Sequence, residues 1–422
     1  MTEDEGREGR GEALTLAAFI FHQLSSSAMK DIRIGLIGTG GMGKAHATAF
    51  RNVPLVFGNE PGRPVLEVVA DVDAPAVAKW AEAFGFARWT TDWREIVADP
   101  RVDVVDITTP NHLHAEMAIA AAQAGKHIYC EKPLATTSAD AARIVAAVER
   151  AGVISIVGFN YLKNPAQAFA QQLITSGELG EITLFRGTFD QDFLTDPGVP
   201  FSWRLDRALA GTGALGDLGS HTLAFAQFLI GDIVEVCGLS ATTVKERAVP
   251  VAGSGYAAKA AHDAARRTVE NEDIMECLVR FENRAIGTIG TSRVGTGRKL
   301  GLTYEIQGTR GGLVYTQERM NELKVYRHTD PDRERGYKTV YIGPEHPGYK
   351  AFFGLAGIGL GYNDQKIIEA HDLISAVAQN QPVQPDVRFA YRINKVIDAV
   401  DLSCRERRWA RPSEFDTEVD RA

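Results

Sequence analysis

Short apolar runs alternate with amphipathic stretches through the first part of the chain. The runs resemble strands that are buried on both faces of a parallel sheet, and the stretches between them have apolar residues at helical spacing. This alternation predicts an α/β fold with a doubly wound parallel sheet. The apolar runs lie at residues 32–37, 65–70, 102–108, 127–130 and 153–157.

The pattern changes at about residue 158, where strand-like runs follow one another with few helices between them. These runs lie at residues 182–190, 234–243, 273–281, 285–292, 302–307, 313–315 and 338–342. They predict a C-terminal α+β domain with an open, largely antiparallel sheet. Residues 262–267 are mostly charged, and for them we predict an exposed helix.

Composition excludes several classes of protein. Of the 422 residues, 45% are hydrophobic and 24% are charged, so a mainly disordered chain is excluded. The net charge of -8 argues against nucleic acid as a partner. The lack of an uninterrupted apolar run of about 18 residues argues against a membrane span. The four cysteines are scattered, which is typical of a reduced, cytoplasmic protein, and we expect no metal site.

A glycine-rich turn follows the first strand directly. Gly38, Gly40 and Gly43 have the G-x-G-x-x-G spacing before a helix-compatible stretch. The first glycine allows a tight turn, the second lets a pyrophosphate approach the backbone, and the third lets the helix pack closely on the strand. The free N–H groups of the helix N-terminus face the phosphates. We therefore predict a dinucleotide site that also includes Gly41 and Met42.

The choice of cofactor is predicted from the residue that ends the second strand. Asp71 can accept hydrogen bonds from both hydroxyls of an adenine ribose and can repel a 2′-phosphate. No arginine follows it closely, so NAD is favoured over NADP. The alternative is that Asp71 is a solvated turn carboxylate.

Further polar residues follow later strands of the same sheet. Because ligands bind beyond the carboxyl ends of parallel strands, these residues share an edge with the glycine-rich turn. The candidate cofactor contacts are Thr109, Asn111, His114, Glu131 and Lys132. An equal alternative for Asn111 is that it only caps the helix that follows it.

Four motifs together resemble the glucose–fructose oxidoreductase, inositol dehydrogenase and rhizopine-catabolism (Gfo/Idh/MocA) family. They are GLIGTGGMGKAHA at 35–47, TTPNHLHAE at 108–116, AGKHIYCEKPLA at 124–135 and GDLGSHTLAFAQFLIG at 216–231. The resemblance spans about residues 31–408. It implies reversible hydride transfer between a nicotinamide and a secondary alcohol or hemiacetal of a sugar or cyclitol. By motif, it also implies that Lys132, Asp217 and His221 are catalytic and that a cis peptide bond precedes Pro133.

The chemistry of these three side chains agrees with the implied reaction. Loss of hydride from an alcohol carbon needs a base at the hydroxyl and a cation or donor where the oxygen gains charge. His221 can be the base and Lys132 the cation, whereas Asp217 can bind substrate or orient the imidazole. The alternatives are a surface lysine, an ordinary helix histidine and an aspartate that caps the helix after it.

Other polar and aromatic residues suit a polyhydroxylated ring. The candidate substrate contacts are Asn160, Tyr161, Trp203 and Arg204, together with Lys132, Asp217 and His221. For the first four, core or loop packing is the alternative.

These observations predict three parts and one leading function. Residues 1–28 are expected to be a disordered extension or to follow from a mis-assigned start. Residues 29–157 are expected to form the dinucleotide-binding Rossmann domain, and 158–422 the domain for substrate binding and assembly into a homodimer or homotetramer. The leading hypothesis is an NAD-dependent dehydrogenase for a cyclitol, sugar or glycoside. An NAD-requiring glycosidase of the same superfamily and a non-catalytic dinucleotide sensor are the alternatives.

Overall fold

The computed structural model describes residues 30–250, 261 and 263–421, so the expectation for residues 1–28 lies outside the described residues. The first half of this chain contains a six-stranded sheet in the order β3-β2-β1-β4-β5-β6. All its neighbouring strands are parallel, which confirms the predicted doubly wound sheet. The strands are β1 (Lys30–Ile37), β2 (Gly62–Ala70), β3 (Arg88–Thr90), β4 (Val104–Ile107), β5 (His127–Cys130) and β6 (Ser155–Val157).

Helices connect these strands and begin where the sequence supplies caps. The Asp73 side chain accepts a hydrogen bond from the Ala76 N–H, and the Thr137 side chain accepts one from the Asp140 N–H. Each bond satisfies a donor that the first helical turn leaves free. The helices are α1 (Gly41–Phe57), α2 (Ala74–Phe84), α3 (Trp93–Ala98), α4 (His114–Gln123) and α5 (Ser138–Ala151).

The second half contains an eight-stranded sheet in the order β16-β15-β14-β13-β7-β12-β11-β8. Its neighbours are antiparallel except β7 and β12, which run parallel, so the predicted, largely antiparallel sheet is confirmed. The strands are β7 (Ile182–Asp190), β8 (Ile233–Ala241), β11 (Ile274–Phe281), β12 (Ile286–Ser292), β13 (Gly301–Gly308), β14 (Gly311–Thr316), β15 (Glu322–Arg327) and β16 (Lys338–Tyr341). A separate two-stranded sheet joins β9 (Glu246–Ala248) to β10 (Arg266–Thr268).

Helices pack between and beside the two large sheets. They are α6 (Pro165–Thr175), α7 (Arg207–Ala210), α8 (Ser220–Leu229), α9 (Tyr362–Gln379) and α10 (Val387–Glu406). Helix α9 packs on α1, and α10 packs on both α5 and β8, so elements from late in the chain cover the first half. Within the described ranges, none of these helices combines the length and the apolar run needed to cross a bilayer.

One local prediction is wrong, and one alternative for a site residue is excluded. The helix predicted for 262–267 is replaced by a strand that begins at Arg266, and position 262 itself lies outside the described residues. The Arg267 guanidinium donates to the Asp206 carboxylate at 2.6 Å and lies over the Phe201 ring, so tertiary contacts decide this segment. Asp217 is not a helix cap, because it lies inside a π-helical turn, Leu215–Gly219, that runs directly into α8.

Candidate active site

The glycine-rich turn is shaped by steric limits at two of its glycines. Gly38 has φ of +103°, in the region that favours glycine, and a Cβ there would lie 2.9 Å from the carbonyl oxygen of Thr108. A Cβ on Gly43 would lie 2.1 Å from the carbonyl oxygen of Gly38. Gly38 is therefore needed for the turn to lie this close to the residue after β4, and Gly43 for α1 to lie this close to the end of β1.

The space in front of α1 fits a dinucleotide pyrophosphate. A Cβ on Gly40 or Gly41 would meet nothing within 4 Å, so the turn is open on this side. The N-cap residue is Gly40, which has no side chain to bond to the N–H groups of the first helical turn. The first N–H groups of α1 and the positive end of its dipole are therefore available to an anion. Met42, the remaining predicted residue of this turn, is partly buried.

Asp71 lies beside this turn at the end of β2. Its Oδ2 accepts hydrogen bonds from the N–H and the hydroxyl of Thr39, at 2.7 and 2.5 Å. Its Oδ1 accepts one from the N–H of Val72 at 2.7 Å. The carboxylate is therefore held against the glycine-rich turn, at the position where the sequence predicted the ribose contact.

The three candidates after β4 have different surroundings. The His114 imidazole is buried, with its nitrogens 2.9 Å from the carbonyl oxygens of Pro133 and Thr109, so it supports the turn after Lys132. Asn111 donates to the carbonyl of Ala210 at 3.1 Å and does not cap α4, whose N-cap is Leu113. The hydroxyl of Thr109 lies 3.6 Å from the sulfur of Met117.

Lys132 and Asp217 meet although 85 positions separate them. The Lys132 ammonium donates to the Asp217 backbone carbonyl at 2.7 Å and to its Oδ1 at 3.1 Å. Arg204 approaches the other carboxylate oxygen, with Nε 3.9 Å from Oδ2. The peptide bond between Lys132 and Pro133 is cis, as expected. A π-helical turn is a frequent feature of functional sites, and here it carries Asp217.

The charges of this cluster set its protonation. Burial alone would raise the pKa of Asp217, but the Lys132 ammonium and the Arg204 guanidinium lower it to about 2. Burial and the nearby Lys132 charge hold the pKa of His221 well below its ordinary value of 6.5. At neutral pH the site therefore contains an ammonium, a carboxylate and a neutral imidazole, which can act as a base.

Aromatic rings enclose the imidazole of His221. The ring of Tyr161 lies 4.7 Å from it, and the rings of Phe159 and Phe189 lie at 5.9 and 5.8 Å. Asn160 is buried next to them, and its side-chain nitrogen has no hydrogen-bond partner among the described residues.

Trp203 and Arg204 are partly exposed, and Arg204 lies beside Asp217. They begin a short 3-10 turn, and the Arg204 guanidinium carbon lies 4.4 Å over the Trp203 ring. The site thus has apolar, amide and cationic walls around the imidazole and the ammonium, which suits a ring with several hydroxyl groups.

Sequence reasoning missed a set of buried charges under the Glu131–Lys132 turn. Lys366 on α9 and His46 on α1 both contact Glu131, at 2.6 and 2.9 Å. The available signal was a lysine or a histidine on the apolar face of a predicted helix. A polar residue on an apolar helix face does not show which residue it contacts. Glu131, the partner of Lys366, lies 235 positions away along the chain. In the part of the chain that is described, no group of three or more His, Cys, Asp or Glu side chains could hold a metal ion.

Comparison with known proteins gives matches along most of the chain. A family model described as "Oxidoreductase family, NAD-binding Rossmann fold" matches residues 32–159. A second, described as "GFO/IDH/MocA C-terminal domain", matches residues 168–314.

Individual relatives and a solved structure cover both halves. The chain is 40% identical over 382 residues to levoglucosan dehydrogenase of Pseudarthrobacter phenanthrenivorans, covering 90% of this chain and 98% of that protein. It is 25% identical over 314 residues to myo-inositol 2-dehydrogenase of Thermotoga maritima, covering 74% of this chain and 82% of that protein. A levoglucosan dehydrogenase structure in complex with NADH and levoglucosan matches with a TM-score of 0.85 at 40% identity, over 90% of this chain and 99% of the other.

Proposed function

This chain belongs to the Gfo/Idh/MocA oxidoreductase family, and we propose that it is an NAD-dependent dehydrogenase that oxidises a secondary alcohol of a sugar. The observation that carries the proposal is the ion pair between Lys132, at the end of β5, and Asp217. The charges of both residues also act on the pKa of His221, which lies at the start of the helix after Asp217. An anhydrosugar such as levoglucosan is the first candidate substrate, because the match to levoglucosan dehydrogenase covers nearly the full length of that relative.

Each catalytic side chain has a distinct proposed role. NAD, when bound by the glycine-rich turn and Asp71, would supply the acceptor for the hydride of the alcohol carbon. His221, neutral at pH 7, takes the hydroxyl proton, so that loss of hydride and proton leaves a ketone. Lys132 donates to the substrate oxygen and stabilises the negative charge that it gains. Asp217 holds the Lys132 ammonium in place and can accept a hydrogen bond from a neighbouring hydroxyl.

The same geometry supports NAD as the preferred cofactor. We propose that the backbone of Gly38–Gly43 holds the pyrophosphate and that the Asp71 carboxylate accepts the adenine ribose hydroxyls. A 2′-phosphate at that place would face a carboxylate that Thr39 already fixes, and the repulsion disfavours NADP. We propose that Thr109, Asn111 and Lys132, which follow β4 and β5, contact the nicotinamide end of the cofactor. Glu131 and His114, the other two candidates, are buried, and they support these turns from within the protein.

The proposed substrate pocket lies between the two large sheets. Asn160 and Tyr161 form its buried side, and Trp203 with Arg204 forms its open side. The division of the chain near residue 158 supports this arrangement, because the parallel sheet ends at Val157 and the next large sheet begins with β7. The first part then binds the dinucleotide and the second part supplies most of the substrate contacts.

The direct test is NADH absorbance with a panel of levoglucosan, myo-inositol and common aldoses at alkaline pH. We expect stoichiometric NADH with at least one anhydrosugar or sugar, and a large loss of turnover in Lys132→Met. Lys126→Met is the matched control, since among the described residues its ammonium bonds to two backbone carbonyls, those of Asp99 and Val102, and to no carboxylate.

The panel also separates the alternative activity. An NAD-requiring glycosidase would release an aglycone from a glycoside without net NADH. Wild-type turnover in Lys132→Met, or aglycone release without NADH, would contradict the proposed dehydrogenase.

A further inference from the structure

A cluster of buried charges lies directly beneath the catalytic turn. It consists of His46, Asp106, Glu131, Lys366 and Glu369, and we call it the buried charge cluster. His46, Asp106, Lys366 and Glu369 are 0% exposed and Glu131 is 4% exposed. The members come from α1, β4, the end of β5 and α9, so the cluster joins the cofactor half to a late helix.

Glu131 is the member that touches the catalytic turn. Its Oε1 accepts a hydrogen bond from the Lys366 ammonium at 2.6 Å and lies 2.9 Å from Nε2 of His46. Its Oε2 accepts one from the backbone N–H of Lys132 at 3.1 Å. Gly158 packs against the same carboxylate, because a Cβ there would lie 2.6 Å from Oε1. The Glu131 side chain is therefore fixed on three sides, and it in turn holds the backbone of Lys132.

His46 lies between two carboxylate partners, and together they need more than the one proton of a neutral imidazole. Its Nδ1 lies 2.9 Å from Asp106 and its Nε2 lies 2.9 Å from Glu131. A neutral imidazole has only one N–H to donate, so two carboxylates require an imidazolium or a protonated carboxyl group. Burial alone would lower the pKa of His46, but the Asp106 charge raises it above 6.5.

Lys366 also remains charged although it is buried. Burial opposes its charge, but Glu131 and Glu369 raise its pKa above the ordinary value. Its ammonium donates to Glu369 at 2.9 Å, and the hydroxyl of Tyr129 donates to the same carboxylate. Glu131 thus faces a cation from α9 and a proton donor from α1. Buried charges are stable only with such partners, and removal of one partner is costly.

We propose that Lys366 and His46 are positioning residues for the catalytic lysine. By fixing the Glu131 carboxylate they set the backbone at Lys132, and they connect that backbone to α1, whose N-terminus forms the glycine-rich turn. This inference rests on the proposed function, because it takes Lys132 as the group that binds the substrate oxygen. An ion pair that only stabilised the fold would leave the turnover of folded enzyme unchanged.

Two members of the buried charge cluster, Glu131 and Lys366, also affect the pKa of His221, the proposed base. Four charged groups face the His221 imidazole: Lys132 and Glu131 at the end of β5, Asp217 on the π-helical turn and Lys366 on α9. Tyr161 is its nearest aromatic neighbour. The Lys366 charge lowers the pKa of His221. Its removal therefore raises that pKa, provided that His46 and Lys132 keep Glu131 ionised.

The test compares Lys366→Met with the control Lys126→Met. For Lys366→Met we expect kcat to fall by up to about 100-fold, since a misplacement of about 1 Å can cost that much. We expect the affinity for NADH, measured by fluorescence titration, to stay within about threefold of wild type. The acidic limb of the kcat/KM profile should move to higher pH. Lys126→Met should lose stability, but its kcat and the pH of the acidic limb of its kcat/KM profile should equal those of wild type.

A second readout does not depend on activity. Acetic anhydride labels amines, and peptide mass spectrometry gives the labelling rate of Lys132 in the protein without substrate. We expect Lys132 to be labelled several-fold faster in Lys366→Met than in wild type or Lys126→Met, because its turn is less firmly held. If Lys366→Met does not fold, His46→Gln replaces it: kcat should fall and labelling should rise, with the acidic limb unmoved.

The outcomes separate the two proposals. A wild-type protein that reduces NAD with no member of the panel contradicts the proposed function, whereas faster labelling of Lys132 still supports the positioning role. A wild-type kcat, an unmoved limb and unchanged labelling in folded Lys366→Met would overturn the positioning role and leave the proposed function intact.

Discussion

The ion pair between Lys132 and Asp217 gives the sharpest quantitative prediction. Burial opposes the charge of Asp217, yet Lys132 and Arg204 lower its pKa from 3.8 to about 2. At about 1.4 kcal/mol per pKa unit, this corresponds to about 2 kcal/mol of favourable interaction in the folded protein. Because the pKa is lowered, the stabilisation is present above about pH 4 and is lost as the pH falls toward 2.

A double-mutant cycle measures this interaction directly. The free energy of unfolding in urea at pH 7 is compared for wild type, Asp217→Asn, Lys132→Met and the double variant. We expect the two single changes to be non-additive by about 1–2 kcal/mol, because each removes the same ion pair, whereas the part of the interaction that Arg204 supplies does not depend on Lys132. A coupling below about 0.5 kcal/mol would refute the inferred contact.

The same substitution has a kinetic consequence. The Asp217 charge raises the pKa of His221, whereas the Lys132 charge lowers it. Asp217→Asn removes the first effect and keeps the second, so the acidic limb of kcat/KM for alcohol oxidation should move to lower pH.

Three further predictions follow from the site. Gly43→Ala should destabilise the protein by about 1–3 kcal/mol, since the new Cβ would lie 2.1 Å from the carbonyl oxygen of Gly38. Gly41→Ala is the control: its Cβ would meet nothing within 4 Å, so the midpoint of urea unfolding should not change. Asp71→Asn should reduce kcat/KM with NAD by about 10- to 100-fold, because about 1.5–3 kcal/mol of charged hydrogen bonding is lost. It should also reduce the ratio of kcat/KM with NAD to kcat/KM with NADP, and an unchanged ratio would contradict the role of Asp71. In wild type, the acidic limb for oxidation should have its midpoint below pH 6.5, because burial and Lys132 lower the pKa of His221; a midpoint above 6.5 would argue for another base.

The parallel sheet could be predicted because its signals are local. Five of its six strands contain an apolar run, and the G-x-G-x-x-G spacing marks the turn after β1. The remaining strand, β3, contains no such run and was not predicted, because it depends on pairing with β2. The second half was predicted less completely. Strand β15 carries alternating charged residues and depends on pairing with β14 and β16, and β10 depends on pairing with β9.

The candidate site could be predicted only as far as motifs reach. Lys132, Asp217 and His221 belong to sequence motifs, and the structure brings Lys132 and Asp217 into contact. The alternative for Asp217 was a cap of the helix after it, but Asp217 lies inside a π-helical turn that precedes α8. Lys366 could not be found in this way, because its role depends on the end of a strand 235 positions earlier.

Lys132 is therefore controlled by two carboxylates that act on different parts of the residue. Asp217 binds the ammonium, and both side chains are partly exposed, so in the proposed function substrate competes with Asp217 for that ammonium. Glu131 binds the backbone N–H and lies where substrate cannot reach, because Lys366 and His46 cover it. In the proposed function, Lys132 needs both carboxylates. Its ammonium must exchange Asp217 for the substrate oxygen, and its backbone must stay in place while this happens. Loss of Asp217 removes a negative charge near His221 and loss of Lys366 removes a positive one, so the two variants are expected to displace the acidic limb in opposite directions.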